Sequence, residues 1–287
     1  MKTLKTLPSS ITIPSFIKNS AKILQFFSPK LATLYASKLF RTPVKFSVPK
    51  REKMMWESAQ KKRIKVEELD KEIDILSYGY SQKKVLLVHG WAGRSTQLFM
   101  IADKLLEKGF MTISFDATAH GKSDGKESSL PEFIACIQQI NKEFGPFTSA
   151  VGHSLGGMAL YNTANELNLT NFATIGAANK ITIIVNRFIE NMSLKPKIAK
   201  RVKKYYDKKF NNDIDILSSE KHTKDIKMPV LVVHDSLDGD VSVRCAFHIR
   251  QNLEKGTLLI TEGLGHTKIL RDKNTVNRIA SFIKENL

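Results

Sequence analysis

The chain has 287 residues and a formal net charge of +17, with 42% hydrophobic and 25% charged residues. The composition is ordinary for a globular protein, and the length suits one large domain. Two cysteines without C-x-x-C spacing, and no apolar run of membrane-spanning length, exclude a disulfide framework, a thiolate metal site and a transmembrane helix. These features predict a cytoplasmic protein.

The excess positive charge lies in two segments. Residues 1–65 carry 15 Lys or Arg against two Glu, and residues 195–209 carry eight against one Asp. Such segments attract polyanions in general. A solvated lysine-rich surface is the simplest interpretation, and peripheral contact with an anionic membrane is the alternative. Because no DNA- or RNA-binding motif accompanies the lysines, we expect no nucleic-acid partner.

Residues 1–62 are predicted to form a basic helical extension. Prolines divide the segment, and residues 16–27 and 30–40 between them have the pattern of short helices. A basic amphipathic helix can pack on the neighbouring domain or lie on an anionic membrane. In the second helix, Lys30 and Lys38 are available to the face opposite an apolar stripe formed by Leu31, Leu34, Tyr35 and Leu39.

From residue 63 onward, strand and helix patterns alternate. Strands are predicted at residues 63–66, 73–77, 84–88, 111–115, 147–152, 171–176, 229–234 and 257–261. Helices are predicted at residues 96–108, 131–144, 154–166, 243–253 and 275–286. This alternation predicts an α/β domain, residues 63–287, with a mostly parallel central sheet and helices on both faces. The lysine-rich residues 179–223 interrupt the alternation and are predicted to be a helical insertion.

The stretch AVGHSLGGMAL, residues 150–160, places Ser154 between a buried strand and a helix in the pattern G-x-S-x-G. Sites in parallel sheets form at the carboxyl ends of the strands. A sharp turn there exposes the serine hydroxyl at the positive end of the following helix. Gly152 and Gly156 then approach other backbone too closely to carry side chains. The pattern predicts a nucleophilic Ser154 on an elbow formed with these glycines.

A serine nucleophile needs a base and a carboxylate that orients the base. Of the seven histidines, His266 lies just beyond the last predicted strand and is the expected base. The loop DSLDGD offers Asp235, Asp238 and Asp240, of which Asp238 has the best reach. Asp235 is better suited to bracing the loop. His153 is expected to point away from the site.

Two backbone N–H groups are the expected donors to a tetrahedral oxyanion. One belongs to Leu155, directly after the serine, and the other to Trp91 in the HGWAG loop. The glycines of that loop let its backbone approach a substrate carbonyl. The indole of Trp91 either lines the pocket or shields the core.

With these motifs the sequence resembles the α/β-hydrolases over residues 64–287. The resemblance rests on HGWAG (89–93), DATAHGKSDG (116–125), GHSLGG (152–157), HDSLD (234–238) and GLGH (263–266). It implies the α/β-hydrolase fold, the chain order Ser–acid–His, a small helical cap at residues 179–223 and a scaffold role for His120 and Ser123. The capped serine esterase and lysophospholipase-like branch looks most similar. Asp235 stands where the family often has glycine, and residues 1–60 match nothing general in it.

The predicted function is therefore a serine hydrolase that cleaves a carboxylic ester or thioester through an acyl-enzyme. The expected substrate is a small-molecule ester, with an acyl or lipid group as one form, and neither cofactor nor metal is expected. An amidase or peptidase with the same residues is the alternative. A non-catalytic binding protein on this scaffold is a third interpretation. A histidine metal site is not favoured, since no H-E-x-x-H spacing is present.

Overall fold

The structure, a computed structural model, describes residues 6–287. Eight strands are found in this part of the chain: β1 (Gln60–Val66), β2 (Lys71–Tyr78), β3 (Lys84–Val88), β4 (Met111–Phe115), β5 (Ser149–His153), β6 (Asn171–Ile175), β7 (Val230–Asp235) and β8 (Gly256–Thr261). The α-helices of the same residues are α1 (Ser15–Phe27), α2 (Pro29–Phe40), α3 (Lys53–Ser58), α4 (Phe99–Glu107), α5 (Leu130–Phe144), α6 (Leu155–Thr163), α7 (Ile181–Asn191), α8 (Pro196–Lys209), α9 (Ser219–His222), α10 (Arg244–Asn252), α11 (Gly265–Lys268) and α12 (Lys273–Glu285).

All the strands belong to one sheet in the order β1-β2-β4-β3-β5-β6-β7-β8. The pairs β1–β2 and β2–β4 are antiparallel, and every pair from β4–β3 to β7–β8 is parallel. The central strands β5, β6 and β7 are buried along their whole length, as continuous apolar runs in parallel sheets should be. The predicted mostly parallel sheet is confirmed.

Helices cover both faces of the sheet, as predicted. The apolar side chains of α5, α6 and α10 pack on one face, and those of α4 and α12 pack on the other. Because the parallel strands all point the same way, their carboxyl ends meet along one edge. The loops after β3, β5, β7 and β8 therefore lie together at that edge.

Two local features of the N-terminal part differ from the sequence predictions. Strand β1 begins at Gln60 instead of Arg63, because its polar first residues pair with β2 although they are exposed. The buried face of α2 consists of Ala32, Thr33, Ala36 and Ser37. The predicted stripe is wrong for Leu31 and Leu34, which are 51% and 43% exposed.

The segment predicted to be a cap insertion contains α7, α8 and α9. Helices α7 and α8 pack against each other, and α2 packs against both. The hydroxyl of Tyr206 on α8 donates a buried hydrogen bond of 2.6 Å to the carbonyl of Ser37 on α2. The small residues of α2 allow this close approach, so the N-terminal helices are part of the roof over the sheet edge.

Residues 7–10, here called the strap, cross the loop that follows β7. The Leu7 amide donates to the Leu237 carbonyl at 2.8 Å, and the Ser10 amide donates to the Asp240 carboxylate at 2.9 Å. A Cβ added to Gly239 would lie 1.9 Å from the Leu7 carbonyl oxygen, so glycine is required for the strap to dock. No helix within residues 6–287 is long and apolar enough to cross a bilayer.

Candidate active site

Ser154 lies on a strained turn between β5 and α6. Its backbone has φ 51° and ψ −115°, a region that non-glycine residues seldom adopt. The amide of Ser154 donates to the Ile175 carbonyl at 2.8 Å, which fixes the turn to the end of β6. The serine is thus held in this conformation by its neighbours at the carboxyl edge of the sheet.

Close backbone packing explains the glycines on either side of this serine. A Cβ at Gly156 would lie 2.4 Å from the Val88 carbonyl oxygen, and one at Gly152 would lie 2.7 Å from the Gly156 carbonyl oxygen. Neither glycine has a positive φ, so space and not conformation requires them. The two glycines let α6 start directly against β3 and β5.

His266 and Asp238 form a buried pair. The Nδ1 of His266 lies 2.7 Å from Oδ2 of Asp238, and the two side chains are 8% and 1% exposed. The other carboxylate oxygen of Asp238 accepts the amides of Asp240 and Val241 at 2.8 and 3.0 Å. With both oxygens bound, the carboxylate has one orientation, and it fixes the imidazole in turn.

Asp238 and His266 shift each other's pKa toward the charged form. Burial by itself raises the pKa of Asp238, but the charge and hydrogen bond of His266 outweigh it, and the pKa lies below its ordinary value. Burial likewise disfavours the imidazolium of His266, but Asp238 and Asp240 together raise its pKa above the ordinary value. An imidazole in this setting is a stronger base than histidine in water and gains a proton readily.

Two further histidines surround this pair. His153 packs on His266 with ring centroids 4.7 Å apart, and its Nε2 lies 3.0 Å from the His266 carbonyl oxygen. The expectation that His153 points away from the site is wrong, because the turn at Ser154 directs it beneath α11. His234, not assigned from the sequence, has Nε2 3.5 Å from Asp238 and 2.9 Å from the Val241 carbonyl oxygen.

Both of these neighbours remain uncharged near neutral pH. Burial lowers the pKa of His153 to about 3, with His266 adding to the effect. Burial also lowers the pKa of His234. Neutral rings support the His266–Asp238 pair without competing for the proton of His266.

The HGWAG loop after β3 is held by Gln97, a residue that the motifs did not indicate. Its Oε1 accepts the Gly90 amide at 3.0 Å, and a Cβ at Gly93 would lie 2.5 Å from the same oxygen. Trp91 in this loop packs edge-on against His120 at 5.2 Å and lines a cavity. Leu155 is the first residue of α6, where a helix leaves its amides without intrahelical acceptors.

The cavity has a volume of about 430 Å³ and lies between the sheet edge and the cap. Ser154, His266, Trp91 and Leu155 all line it, and Asp238 lies behind His266. Within the described residues no hydrogen bond joins Ser154 Oγ to His266. Such bonds are often long in unliganded sites and shorten when substrate binds. The structure therefore brings the predicted residues to one cavity and joins two of them directly.

Asp235 braces the loops around this cavity. Its carboxylate accepts the Leu237 amide at 3.0 Å, the Thr261 hydroxyl at 2.8 Å and the Leu264 amide at 2.9 Å. It thereby ties the loop carrying Asp238 to the loop carrying His266. These bonds explain an aspartate where the resembled family often has glycine.

The DATAHGKSDG stretch is a scaffold in the structure. Ser123 donates to the Asp116 carbonyl at 2.5 Å, and the ring of His120 is bound to the Thr118 carbonyl at 2.9 Å. The Asp116 carboxylate accepts the amides of Ser95 and Lys122 at 2.6 and 2.9 Å. The polar groups of this stretch hold the loops beneath the cavity.

Asp238, Asp240 and His266 are the group of residues between 6 and 287 whose ligand atoms lie close enough to share a metal ion, within 4.8 Å. Most of the atoms that could bind a metal already have hydrogen-bond partners within the protein. Asp238 and His266 bind each other, Asp238 also accepts two amides, and Asp240 accepts the strap amide of Ser10. The arrangement is that of an acid–base pair.

Comparison with known proteins defines the fold. The family described as the alpha/beta hydrolase fold matches residues 83–168, from β3 to just beyond α6. No protein of curated function matches the sequence. The chain has the α/β-hydrolase fold, and the fold implied by the sequence motifs is confirmed.

Solved structures support this assignment. An esterase from Pyrococcus furiosus is similar with a TM-score of 0.67 and 17% identity, over 85% of this chain and 98% of that one. A putative lipase from Acinetobacter baumannii has a TM-score of 0.61 and 20% identity, over 84% of this chain and 99% of that one. An esterase from Rhodococcus sp. has a TM-score of 0.60 and 19% identity, over 80% of this chain and 100% of that one. At these identities the likeness concerns the fold.

Proposed function

We propose that the protein is a serine hydrolase that cleaves carboxylic esters or thioesters through an acyl-enzyme. The observation that carries the proposal is the buried His266–Asp238 pair, 2.7 Å apart, on the cavity that also contains the strained Ser154. A carboxylate-bound imidazole that shares a cavity with a half-buried serine hydroxyl fits the arrangement that activates serine as a nucleophile.

In the proposed mechanism, Ser154 Oγ attacks the acyl carbon as His266 Nε2 takes the hydroxyl proton. Asp238 stabilises the imidazolium through Nδ1. The carbonyl oxygen becomes an oxyanion, which the N–H groups of Trp91 and Leu155 bind. Collapse of this intermediate expels the alcohol or thiol, which receives the proton from His266. Water then attacks the acyl carbon while His266 takes its proton. The acyl–Oγ bond of the second tetrahedral intermediate breaks, which releases the acid, and His266 returns the proton to Ser154 Oγ.

The cavity wall supports an apolar acyl group as the part of the substrate that is bound. Most of the wall is apolar, with side chains from α2, α7 and α8 that include Phe40, Ile184, Phe188 and Tyr206. Aliphatic chains gain free energy in proportion to the area they remove from water. We therefore propose esters with an extended acyl chain, of the kind that esterases and lysophospholipase-like enzymes cleave, as the substrate class.

The test is hydrolysis of p-nitrophenyl esters from acetate to palmitate by the wild type and by Ser154→Ala. We expect turnover that falls at least about 1000-fold in Ser154→Ala, as loss of a serine nucleophile does elsewhere. The chain-length optimum would measure the depth of the acyl site. Ser281→Ala on α12 is the matched control, because it makes the same chemical change far from the cavity.

Labelling with a fluorophosphonate gives an independent readout that needs no substrate. The wild type and Ser281→Ala should be labelled, and Ser154→Ala should not. Absence of both labelling and ester turnover in folded wild type would contradict the proposal. It would favour the non-catalytic interpretation of this scaffold.

A further inference from the structure

Large hydrophobic side chains are exposed mainly in the N-terminal part of the chain. Of the 16 exposed ones in the described residues, ten lie between Phe16 and Met54. Phe26, Phe27 and Phe16 are the most exposed of these ten, at 84%, 77% and 73%. Single exposed hydrophobic residues are common, but a concentration of this kind marks an interaction surface.

Six of these ten side chains lie on the hairpin made by α1 and α2. Phe16, Ile23 and Phe27 are spaced by seven and four residues and so lie on one face of α1. On α2, Leu31 and Leu34 lie opposite the small buried residues that contact α8. We call Phe16, Ile23, Phe26, Phe27, Leu31 and Leu34 the apolar patch. Since α2 is anchored by its other face, the patch is not a core surface left open.

The charge around the patch is positive. Residues 6–51 contain eight Lys or Arg and no acidic residue. On α2, Lys30 and Lys38 are exposed on the same side as Leu31 and Leu34, not on the opposite face as expected. Helix α8, which packs beside α2, adds an exposed row of cations formed by Lys197, Lys200, Arg201 and Lys204.

We propose that the apolar patch and the basic row of α8 together bind the surface of an anionic lipid bilayer. Apolar side chains can enter the boundary between headgroups and acyl chains, while the lysines bind the anionic headgroups. The partner must offer both apolar and anionic groups. A purely polar partner would leave Phe26, Phe27 and Ile23 in water, and a neutral partner would leave the cations without counter-charges.

A second copy of the chain fits this surface less well. A twofold dimer brings the same patch of both copies together, which would place the lysines of one copy against those of the other. Nucleic acid would match the cations, but the aliphatic Ile23, Leu31 and Leu34 offer bases neither a stacking plane nor a hydrogen bond. An anionic bilayer offers both kinds of contact, because its headgroups match the cations and its acyl chains match the apolar side chains.

The surface adjoins the cavity. Helix α2 ends at Phe40, and both Phe40 and Arg41 line the cavity together with Tyr206 of α8. The helices that carry the proposed surface therefore also contribute residues to the cavity. The binding itself does not depend on the reaction proposed above, so it is tested without a substrate.

The experiment is sedimentation of full-length protein with vesicles of phosphatidylcholine alone and of phosphatidylcholine mixed with phosphatidylglycerol. We expect binding to the mixed vesicles that weakens as salt is added, and little binding to the neutral ones. The double variant Phe26→Ser/Phe27→Ser should bind at least about tenfold more weakly, since it removes apolar area that the bilayer would otherwise bury. Tyr80→Ser is its control, because Tyr80 is an exposed aromatic outside the patch, at 87%.

A charge variant tests the second half of the proposal. The variant replaces the four cations of the row by Gln, at Lys197, Lys200, Arg201 and Lys204. It should bind at least about tenfold more weakly, because an anionic surface attracts each of these cations. The matched control changes the same amount of charge elsewhere, at the exposed residues Lys142, Lys255, Lys273 and Lys284.

Several results would overturn the proposal. These are absence of wild-type binding to both vesicles, equal binding to neutral and anionic vesicles, or equal losses in the variants and their controls. Sedimentation velocity without lipid provides one further result that would overturn it. A wild-type dimer that Phe26→Ser/Phe27→Ser converts to monomer would assign the patch to a second copy. Because the serine-dependent turnover of soluble esters is measured separately, failure of either proposal leaves the other intact.

Discussion

The carboxyl edge of the sheet and the α1–α2 hairpin depart from the usual distribution of polar and apolar side chains in opposite directions. At the sheet edge, the polar residues Asp238, Asp235 and His234 are buried. On the hairpin, Phe26 and Phe27 are almost fully in water. Burial of polar groups is tolerated only with hydrogen bonds, and Asp238 and Asp235 have partners for both carboxylate oxygens.

This contrast between buried polar and exposed apolar residues indicates where function is expected in the molecule. At the sheet edge, hydrogen bonds hold the polar side chains in one geometry, as a catalytic site requires. The hairpin leaves apolar area without a partner within the described residues, which is what association requires. Four changes test whether the two regions differ in this way.

The largest effect is expected for Asp238→Asn. An amide at this position cannot stabilise the imidazolium of His266 and favours the wrong tautomer, so kcat/KM for a p-nitrophenyl ester should fall about 10⁴-fold. The thermal midpoint should change little by comparison. Asp70→Asn is the control, since Asp70 is exposed and its left-handed backbone suits Asn. Equal activity in the two variants would remove Asp238 from the site.

The next effect concerns stability. Gly156→Ala places a Cβ 2.4 Å from the Val88 carbonyl oxygen, and we expect the free energy of unfolding to fall by about 3 kcal/mol. Gly109→Ala separates this overlap from backbone strain, because Gly109 has φ 86° and nothing within 4 Å of an added Cβ. It should lose about 1–2 kcal/mol. Urea titration measures both, and a smaller loss for Gly156→Ala would contradict the close packing at the elbow.

A smaller effect is expected for Asp240→Asn on the pH dependence of activity. Burial lowers the pKa of His266, but Asp238 and Asp240 raise it above the ordinary value. The base must be neutral to accept the serine proton, so activity is lost as pH falls through this pKa. Removing the charge of Asp240 lowers the pKa of His266 and should move the acidic limb of kcat/KM to lower pH. A limb that stays in place or moves upward would show that Asp240 does not act on His266.

The smallest effect is expected for the stability of Phe26→Ser/Phe27→Ser. Side chains exposed to this degree bury little on folding, so the free energy of unfolding should stay within about 0.5 kcal/mol of the wild type. Leu105→Ala in α4, which is fully buried, should lose about 2–5 kcal/mol in the same assay. A large loss in the double variant would mean that the two phenylalanines support the fold, and the contrast between the regions would disappear.

The buried strands could be predicted from the sequence because their signal is local. Runs such as KVLLV at β3 must be buried on both faces, and the structure has them at the expected residues. The G-x-S-x-G turn was predictable for the same reason, since strand, turn and helix follow one another directly. The roles of Ser154, Asp238 and His266 remain predictions, and their shared cavity supports them.

The features that the sequence did not reveal depend on distant residues. Hydrophobicity alone predicts the leucine stripe on α2, but close packing of α2 against α1 and α8 favours small residues such as Ala32 and Ala36 on the buried face and leaves Leu31 and Leu34 exposed. Gln97 gave no signal, because its role depends on the position of the Gly90 amide. The contacts of His234 with Asp238 and of the strap with residues 237–240 likewise arise only in the folded chain.

The strap also has a consequence for the time course of folding. Ser9 and Ser10 bind Gly239 and Asp240, which lie 230 residues later in the chain. At about 5–20 residues per second, a ribosome needs roughly ten to fifty seconds to make the residues that separate them. The strap can therefore bind this loop only after residues 237–240 have been made. Contacts between residues so far apart in the sequence form more slowly than local contacts.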